Sequence, residues 1–218
     1  MTSYDFAISG QHYLFDVQSF AHTILAAGGD AYSYALLDRT TQGVIDDVAS
    51  GAAELGVIMQ TSTTEDALNS ALAEAGLAFH ELAVSAPLVA LPASHPFVNA
   101  KSLSLEQLAD FPYVYFDQGP DAPVAFFEEA LSEVPRAKKV ACTDRASLTE
   151  LIMAINGYTV TSGILVGITD GSALTTIPLE TDIKLHLGYV TADNRELSVM
   201  GERFVSHLAR SLDLYANR

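Results

Sequence analysis

Residues 88–116 read LVALPASHPFVNAKSLSLEQLADFPYVYF. An apolar extended run ends at His95-Pro96, because a residue before proline is held out of the helical region. Ser104 and Gln107 have the spacing of a capping box, which predicts a short helix. Phe111-Pro112 closes that helix, and Tyr113–Phe116 begins another apolar strand. The order is strand, exit, one capped helix, strand: an entry into a second α/β lobe. Immediately upstream, residues 80–92 (HELAVSAPLVALP) stay extended for longer than an ordinary strand, which predicts a segment crossing from one lobe to another.

Working outward, strands and helices alternate on both sides. Tyr4–Ser9 is strand-like, and Val17, Phe20, Ala21, Ile24 and Leu25 mark one helical face stopped by Gly28-Gly29. Ala31–Leu37 is a second strand. Thr40 or Thr41 can cap the next helix, with Val44, Ile45, Val48 and Ala49 inward and Gly51 at its end. Leu55–Met59 is a third strand; Ala67, Leu68, Ala71, Leu72 and Ala75 mark a helix closed by Gly76. Beyond the quoted stretch, Val124, Phe127 and Leu131 predict a helix, Lys139–Cys142 a strand, and Leu148, Leu151, Ile152 and Ile155 a helix ended by Asn156-Gly157. Tyr158–Ser162 and Ile183–Val190 are strands, the latter returning to the first lobe, and Phe204, Val205, Leu208 and Leu212 line a final helix. The expected fold class is α/β: two Rossmann-like lobes with mostly parallel sheets, joined by two crossover strands. Lobe I is residues 1–86 plus 184–218, and lobe II is residues 87–183.

Composition excludes several classes. The net charge is −16, and residues 1–100 hold eleven acids against a single base, Arg39. Nucleic-acid binding needs a basic face to displace counterions, so this chain by itself is not expected to bind DNA or RNA. No apolar run reaches the ~18 residues of a membrane span. The N-terminus MTSYDFAISGQHYLF has neither a basic leader nor an apolar core segment, so it does not read as a signal peptide, and a cytoplasmic location is expected. The single cysteine, Cys142, sits at the apolar end of a strand and reads as core. There is no GxSxG elbow, no HExxH, no phosphate loop and no cysteine with an evident histidine partner, so no enzyme is expected and neither cofactor nor metal is assigned.

The order of pieces resembles the effector-binding (substrate-binding) domain of LysR-type transcriptional regulators, which has the type 2 periplasmic-binding-protein fold. Four stretches carry the resemblance: the Asp38-Arg39-Thr40-Thr41 turn with its helix and GAAELGVIM (51–59); residues 88–116; LTELIMAINGYTVTSGI (148–164); and IPLETDIKLHLGYV (177–190) with the last helix. The third departs from the family pattern, since Ile155 stands where a second glycine is expected beside Gly157. The family's winged helix-turn-helix and linker helix have no counterpart in these residues.

In open parallel sheets, ligands sit beyond the carboxyl ends of strands, near helix N-termini whose free N–H groups suit an anion. By resemblance, the ligand-binding positions are Gln11, His12, Thr41, Gln60, Thr61, Arg145, Ser147, Thr161 and Ser162. Against this, Thr41 suffices as a helix cap, and Arg145 as an ion-pair partner. His95 reads as structural, and Asp46-Asp47 and Glu128-Glu129 read as solvated helix faces. The resemblance implies a ligand-sensing domain that holds a small effector, often a carboxylate, between its lobes. It also implies a homodimer, admits a tetramer in a full-length protein, and routes DNA contact through a domain outside this chain. A solute-binding transport receptor of the same fold is the alternative.

Overall fold

A computed structural model describes residues 4–164 and 174–216; the parts of the expected lobes at 1–3, 165–173 and 217–218 lie outside the described residues. Five strands form the larger sheet in the order β2-β1-β3-β10-β4. β1 (Phe6–Gly10), β2 (Tyr34–Asp38) and β3 (Leu55–Thr61) are parallel, and β10 (Leu185–Ala192) runs antiparallel between β3 and β4 (Leu77–Ser85). All seven β3 residues are buried, as expected of a strand covered on both faces. The covering helices are α1 (Leu14–Ala27), α2 (Thr41–Ser50), α3 (Glu65–Glu74) and α5 (Val199–Ala216).

The second body is smaller. β5 (Leu88–Pro92) lies between β8 (Thr159–Thr161) and β9 (Leu174–Pro178), antiparallel to both. β6 (Tyr113–Phe116) and β7 (Lys139–Cys142) form a parallel pair that α4 (Arg145–Ile155) covers. The long extended stretch breaks at Ala86-Pro87: β4 belongs to the larger sheet and β5 to the smaller one. The α/β class holds, but the sheets are mixed. Among the described residues the parallel ladders are β1–β3 and β6–β7, with isolated parallel bridges at Leu103–Leu179 and Tyr113–Tyr158, and the strands beside the two crossings run antiparallel.

Three local expectations are corrected. First, α1 buries Phe15, Asp16, Ser19, Phe20 and Thr23, and leaves Leu25 79% exposed, so the helix is turned from the face that its apolar spacing suggests. The inward hydroxyls donate to carbonyls one turn back, Ser19 to Phe15 (2.6 Å) and Thr23 to Ser19 (2.8 Å), which removes the penalty of burying them. Second, the capping box at 104–107 exists: Ser104 N–H donates to Gln107 Oε1 at 2.9 Å. It starts a run of turns closed by Leu108→Leu105 and Phe111→Leu108 bonds and no helix follows; so short a segment gains too little to offset helix nucleation.

Third, the helix expected from Val124, Phe127 and Leu131 is absent. Only Val124–Phe126 form a 3-10 turn, after which Phe127 is extended and Leu131 adopts φ 61°. Burial overrides the periodicity here. Ala125 and Phe126 insert among Val44, Ile45, Val48, Leu68 and Leu72 of α2 and α3 in the larger body. Glu128 and Glu129, expected on a solvated face, are each 4% exposed. Glu129 Oε1 accepts Phe116 N–H at 2.8 Å, while its Oε2 has no partner among the described residues. Burial, reinforced by the charge of Glu128, pushes the Glu129 carboxyl well above the usual carboxylate range.

The turn with one glycine is explained by its neighbour. Asn156 takes the left-handed conformation (φ 52°) that ends α4. Gly157 then passes so close to the next segment that an added Cβ would stand 2.7 Å from Pro112 O.

Two outcomes are expected. Gly157→Ala destabilises the domain by about 1–3 kcal/mol through this backbone clash; urea unfolding with an unchanged midpoint would refute the close approach. For Glu129, the raised folded-state pKa means that folding favours the protonated form. Stability therefore falls as pH rises above the ordinary Glu range near ~4.3, until the folded-state pKa is passed. Glu129→Gln leaves stability close to wild type at pH 5 and flattens the decline toward pH 8, where each 1 kcal/mol moves the melting temperature by about 2–4 °C. Parallel melting curves for the two proteins from pH 5 to 8 would contradict the assignment.

Candidate functional site

The carboxyl ends of β1 and β6 and the N-termini of α1 and α2 meet where the two bodies touch. Thr40, not Thr41, caps α2: its hydroxyl accepts Gly43 N–H at 3.2 Å. Thr41 is therefore released from capping, and its side chain points into the junction, fully buried. Gln11, also fully buried, follows β1. Its Oε1 accepts Met59 N–H at 2.8 Å, and its Nε2 donates to Thr41 Oγ1. Thr41 Oγ1 in turn donates to Phe126 O at 2.6 Å.

Gln118, just after β6, bridges the two bodies. Its Oε1 accepts Thr41 N–H at 2.8 Å, and its Nε2 donates to Glu128 Oε1 at 2.8 Å. The Glu128 carboxylate is the centre of the network. Oε1 also receives His12 Nδ1 at 2.8 Å, and Oε2 receives His12 N–H at 2.9 Å. The His12 ring stacks on Phe116, with centroids 4.1 Å apart. Burial alone would lower the His12 pKa, but the hydrogen bond and charge of Glu128 outweigh it, and the net shift is upward. Three N–H donors thus converge on one carboxylate, two of them from His12, two residues before α1, where the helix dipole also favours negative charge.

Arg145, the first residue of α4, reaches across the junction. Its NH2 forks onto both Asp38 oxygens (2.8 and 2.7 Å), and its NH1 donates to Tyr13 O at 3.0 Å. Asp16 Oδ1 lies 3.7 Å from the same guanidinium. Burial nevertheless dominates at Asp16, and its carboxyl is pushed well above the usual range. Its Oδ2 has no partner among the described residues, and it lies where a Cβ on Gly10 would be only 2.5 Å away. Glycine at the end of β1 is what lets α1 approach that closely.

Of the nine positions singled out in the sequence, the structure joins Gln11, His12 and Thr41 in one hydrogen-bonded network, with Arg145 beside it. Gln60 follows the Met59 N–H that Gln11 accepts; it is buried, and its Oε1 is unpartnered among the described residues. The other four engage local partners. Thr61 hydrogen-bonds the hydroxyls of Thr63 and Thr64. Ser147 bonds the α4 cap Asp144, holding that carboxyl below its usual value. Thr161 and Ser162 accept the N–H groups of Gly163 and Ile164, both at 3.4 Å.

Two network members, Gln118 and Glu128, are not among those nine positions. Gln118 had the signal of following an apolar strand. Glu128 had none, since its apolar neighbours have the spacing of a surface helix. His95 is structural: it is buried, accepts Phe97 N–H at 3.2 Å and packs against Phe111. Among the described residues, no group of three ligating side chains could hold a metal ion, and no helix is long and apolar enough to cross a membrane.

The model of the LysR substrate binding domain matches residues 33–213. Among curated proteins none matches this chain. Among solved structures, the reduced form of the OxyR regulatory domain from Pseudomonas aeruginosa superposes with a TM-score of 0.64 at 14% identity, covering 96% of this chain and 94% of that one. HinK, a LysR family transcriptional regulator from the same organism, gives 0.64 at 16% identity, covering 95% of this chain and 71% of HinK. The oxidized form of Corynebacterium glutamicum OxyR gives 0.59 at 16% identity, covering 96% of this chain and 64% of that one. At such identities these structures speak to the fold alone, whereas the family match spans most of the sequence. The chain belongs to the LysR substrate-binding-domain family.

Proposed function

We propose that this domain senses a small anionic effector, a carboxylate in the first instance, at the junction of its two bodies, and that these act as lobes spanning 1–86 plus 184–218 and 87–183. The observation that carries this reading is the buried polar network of Gln11, His12, Thr41 and Gln118 between the β1 and β6 ends. Buried polar groups in such number are expensive unless each is satisfied. Here they lie at helix N-termini, where an anion is favoured. Gln60, whose buried Oε1 has no partner among the described residues, extends the same site. Arg145 acts as an inter-lobe latch through Asp38 and Tyr13, more than as a direct ligand clamp. Thr61, Ser147, Thr161 and Ser162 form an outer set, engaged locally until lobe movement turns them inward.

The output follows from population shift. An effector with different affinity for two lobe arrangements biases their balance. In a LysR-type regulator, a dimer of such domains relays that bias to helix-turn-helix domains outside this chain, in the cytoplasm. No catalysis is assigned to the site. The parting of the lobes is confined to two connections, Ala86-Pro87 and the segment ahead of β10, where Lys184 N–H donates to Ser62 Oγ at 3.0 Å.

A thermal-shift screen of small carboxylates tests the reading. A ligand at 100 times its Kd stabilises the folded state by about 2.7 kcal/mol, whereas the absence of any shift across the panel would sink it. With a hit in hand, Gln11→Leu weakens affinity by about tenfold or more, since it removes a polar support of the site; an unchanged Kd would displace the site from this junction. Arg145→Gln opens the latch. Small-angle scattering of the effector-free variant is expected to show a larger radius of gyration than wild type, and identical profiles would show that the latch does not hold the lobes.

A further inference from the structure

We propose that Glu128 is a tethered occupant of the effector's carboxylate subsite, and that an effector binds by displacing it from the donors His12 N–H, His12 Nδ1–H and Gln118 Nε2–H. The inference rests on the reading above and makes it more specific: the ligand class is a carboxylate small enough to take the place of a glutamate head group.

Three features of the segment bearing Glu128 point this way. Its carboxylate is held by groups of both bodies, His12 at the end of β1 and Gln118 after β6. A side chain there therefore bridges the bodies as a bound ligand would. The Thr41 hydroxyl and the α2 N-terminus are committed to the same arrangement, the first to Phe126 O and the second to Gln118 Oε1. The residues placed to meet an effector are thus the ones that hold residues 123–131.

The segment is also held by side chains rather than by its own secondary structure. Beyond one 3-10 turn it has no regular hydrogen bonding. It is fixed at one end by Thr41, and at the other by Arg136, whose NH1 donates to Leu131 O and Val134 O, both at 2.7 Å. Finally, the fixed conformation carries unfavourable features. Leu131, a bulky residue, sits at φ 61°, and Glu129 buries an oxygen with no partner among the described residues. Displacing Glu128 lets both relax, so part of what the effector must overcome is returned when the segment leaves. Because the competitor is on the same chain, it acts at a high effective concentration and lowers the apparent affinity for any free carboxylate by the fraction of molecules in which it is seated.

The test is a rescue experiment on the whole domain with acetate as probe. Glu128→Ala is compared with wild type during titration with sodium acetate against sodium chloride at constant ionic strength. The readouts are melting temperature and the His12 and Gln118 side-chain NMR signals. Acetate is expected to bind Glu128→Ala saturably, shifting both signals, with an apparent Kd at least tenfold below wild type's. If Glu128→Ala is unfolded alone, recovery of the fold by acetate and not by chloride supports the proposal equally. Glu128→Gln, which keeps size and loses charge, is then expected to take acetate at least threefold more tightly than wild type.

Equal acetate response in wild type and both variants would overturn the assignment. The two readings fail separately. A metabolite carboxylate that binds wild type and gains nothing in Glu128→Ala leaves the effector reading standing and removes this one. Acetate captured by Glu128→Ala, with no metabolite binding either protein, leaves the self-occupied subsite standing and removes the effector.

Discussion

A carboxylate can be taken out of water only where donors replace the water it loses. The Glu128 carboxylate meets that condition with three N–H groups, and the junction of the domain is arranged around it. His12 must present both its backbone and its ring to the same side chain, so the chain leaves β1 in a tight turn before α1. Gln118 must reach Glu128 with one end of its amide and the α2 N-terminus with the other, which sets how the end of β6 faces the larger body. Phe126, two residues before Glu128, packs into the α2–α3 cluster. The two bodies are thereby clamped by polar and apolar contacts from the same short segment.

Charge is distributed around this contact in a consistent way. The chain carries a large acidic excess, yet the carboxyl groups at its junction are either paired with a donor or shifted upward by burial. Arg145 serves Asp38, and His12 serves Glu128. Glu129 and Asp16, which lack full partners, are pushed by burial toward their neutral forms. Acidic groups inside the junction are therefore either paired or shifted toward the neutral form, and most other acidic residues among those described are at least partly exposed.

Thr40 and Thr41 show where local rules stop. Either residue satisfies the rule for a helix cap, and the sequence alone does not choose. Once Thr40 takes the cap, Thr41 becomes the first helical residue and its hydroxyl faces the other body. A similar ambiguity hid α1's inward face. Apolar spacing pointed to Val17, Ile24 and Leu25, but Ser19 and Thr23 can be buried because each satisfies its hydroxyl on the preceding turn. At residues 124–131 the failure was larger, since helical spacing is a local property and the burial of Phe126 against α2 is not.

The sequence by itself determined the alternation of strands and helices, the α/β class, the crossing stretch at 80–92 and the family. It also determined which strand ends would carry polar residues. These follow from periodicity, breakers and caps, which act over a few residues. The tertiary structure decided which of those polar residues meet. Gln11, His12 and Thr41 converge; Thr61, Ser147, Thr161 and Ser162 do not. It also decided that a glutamate with the sequence context of a solvated helix is buried at the centre of the site. The physical reason is range: a carboxylate's fate depends on donors 10 and 116 positions away in the chain, Gln118 and His12, and no local pattern encodes their approach.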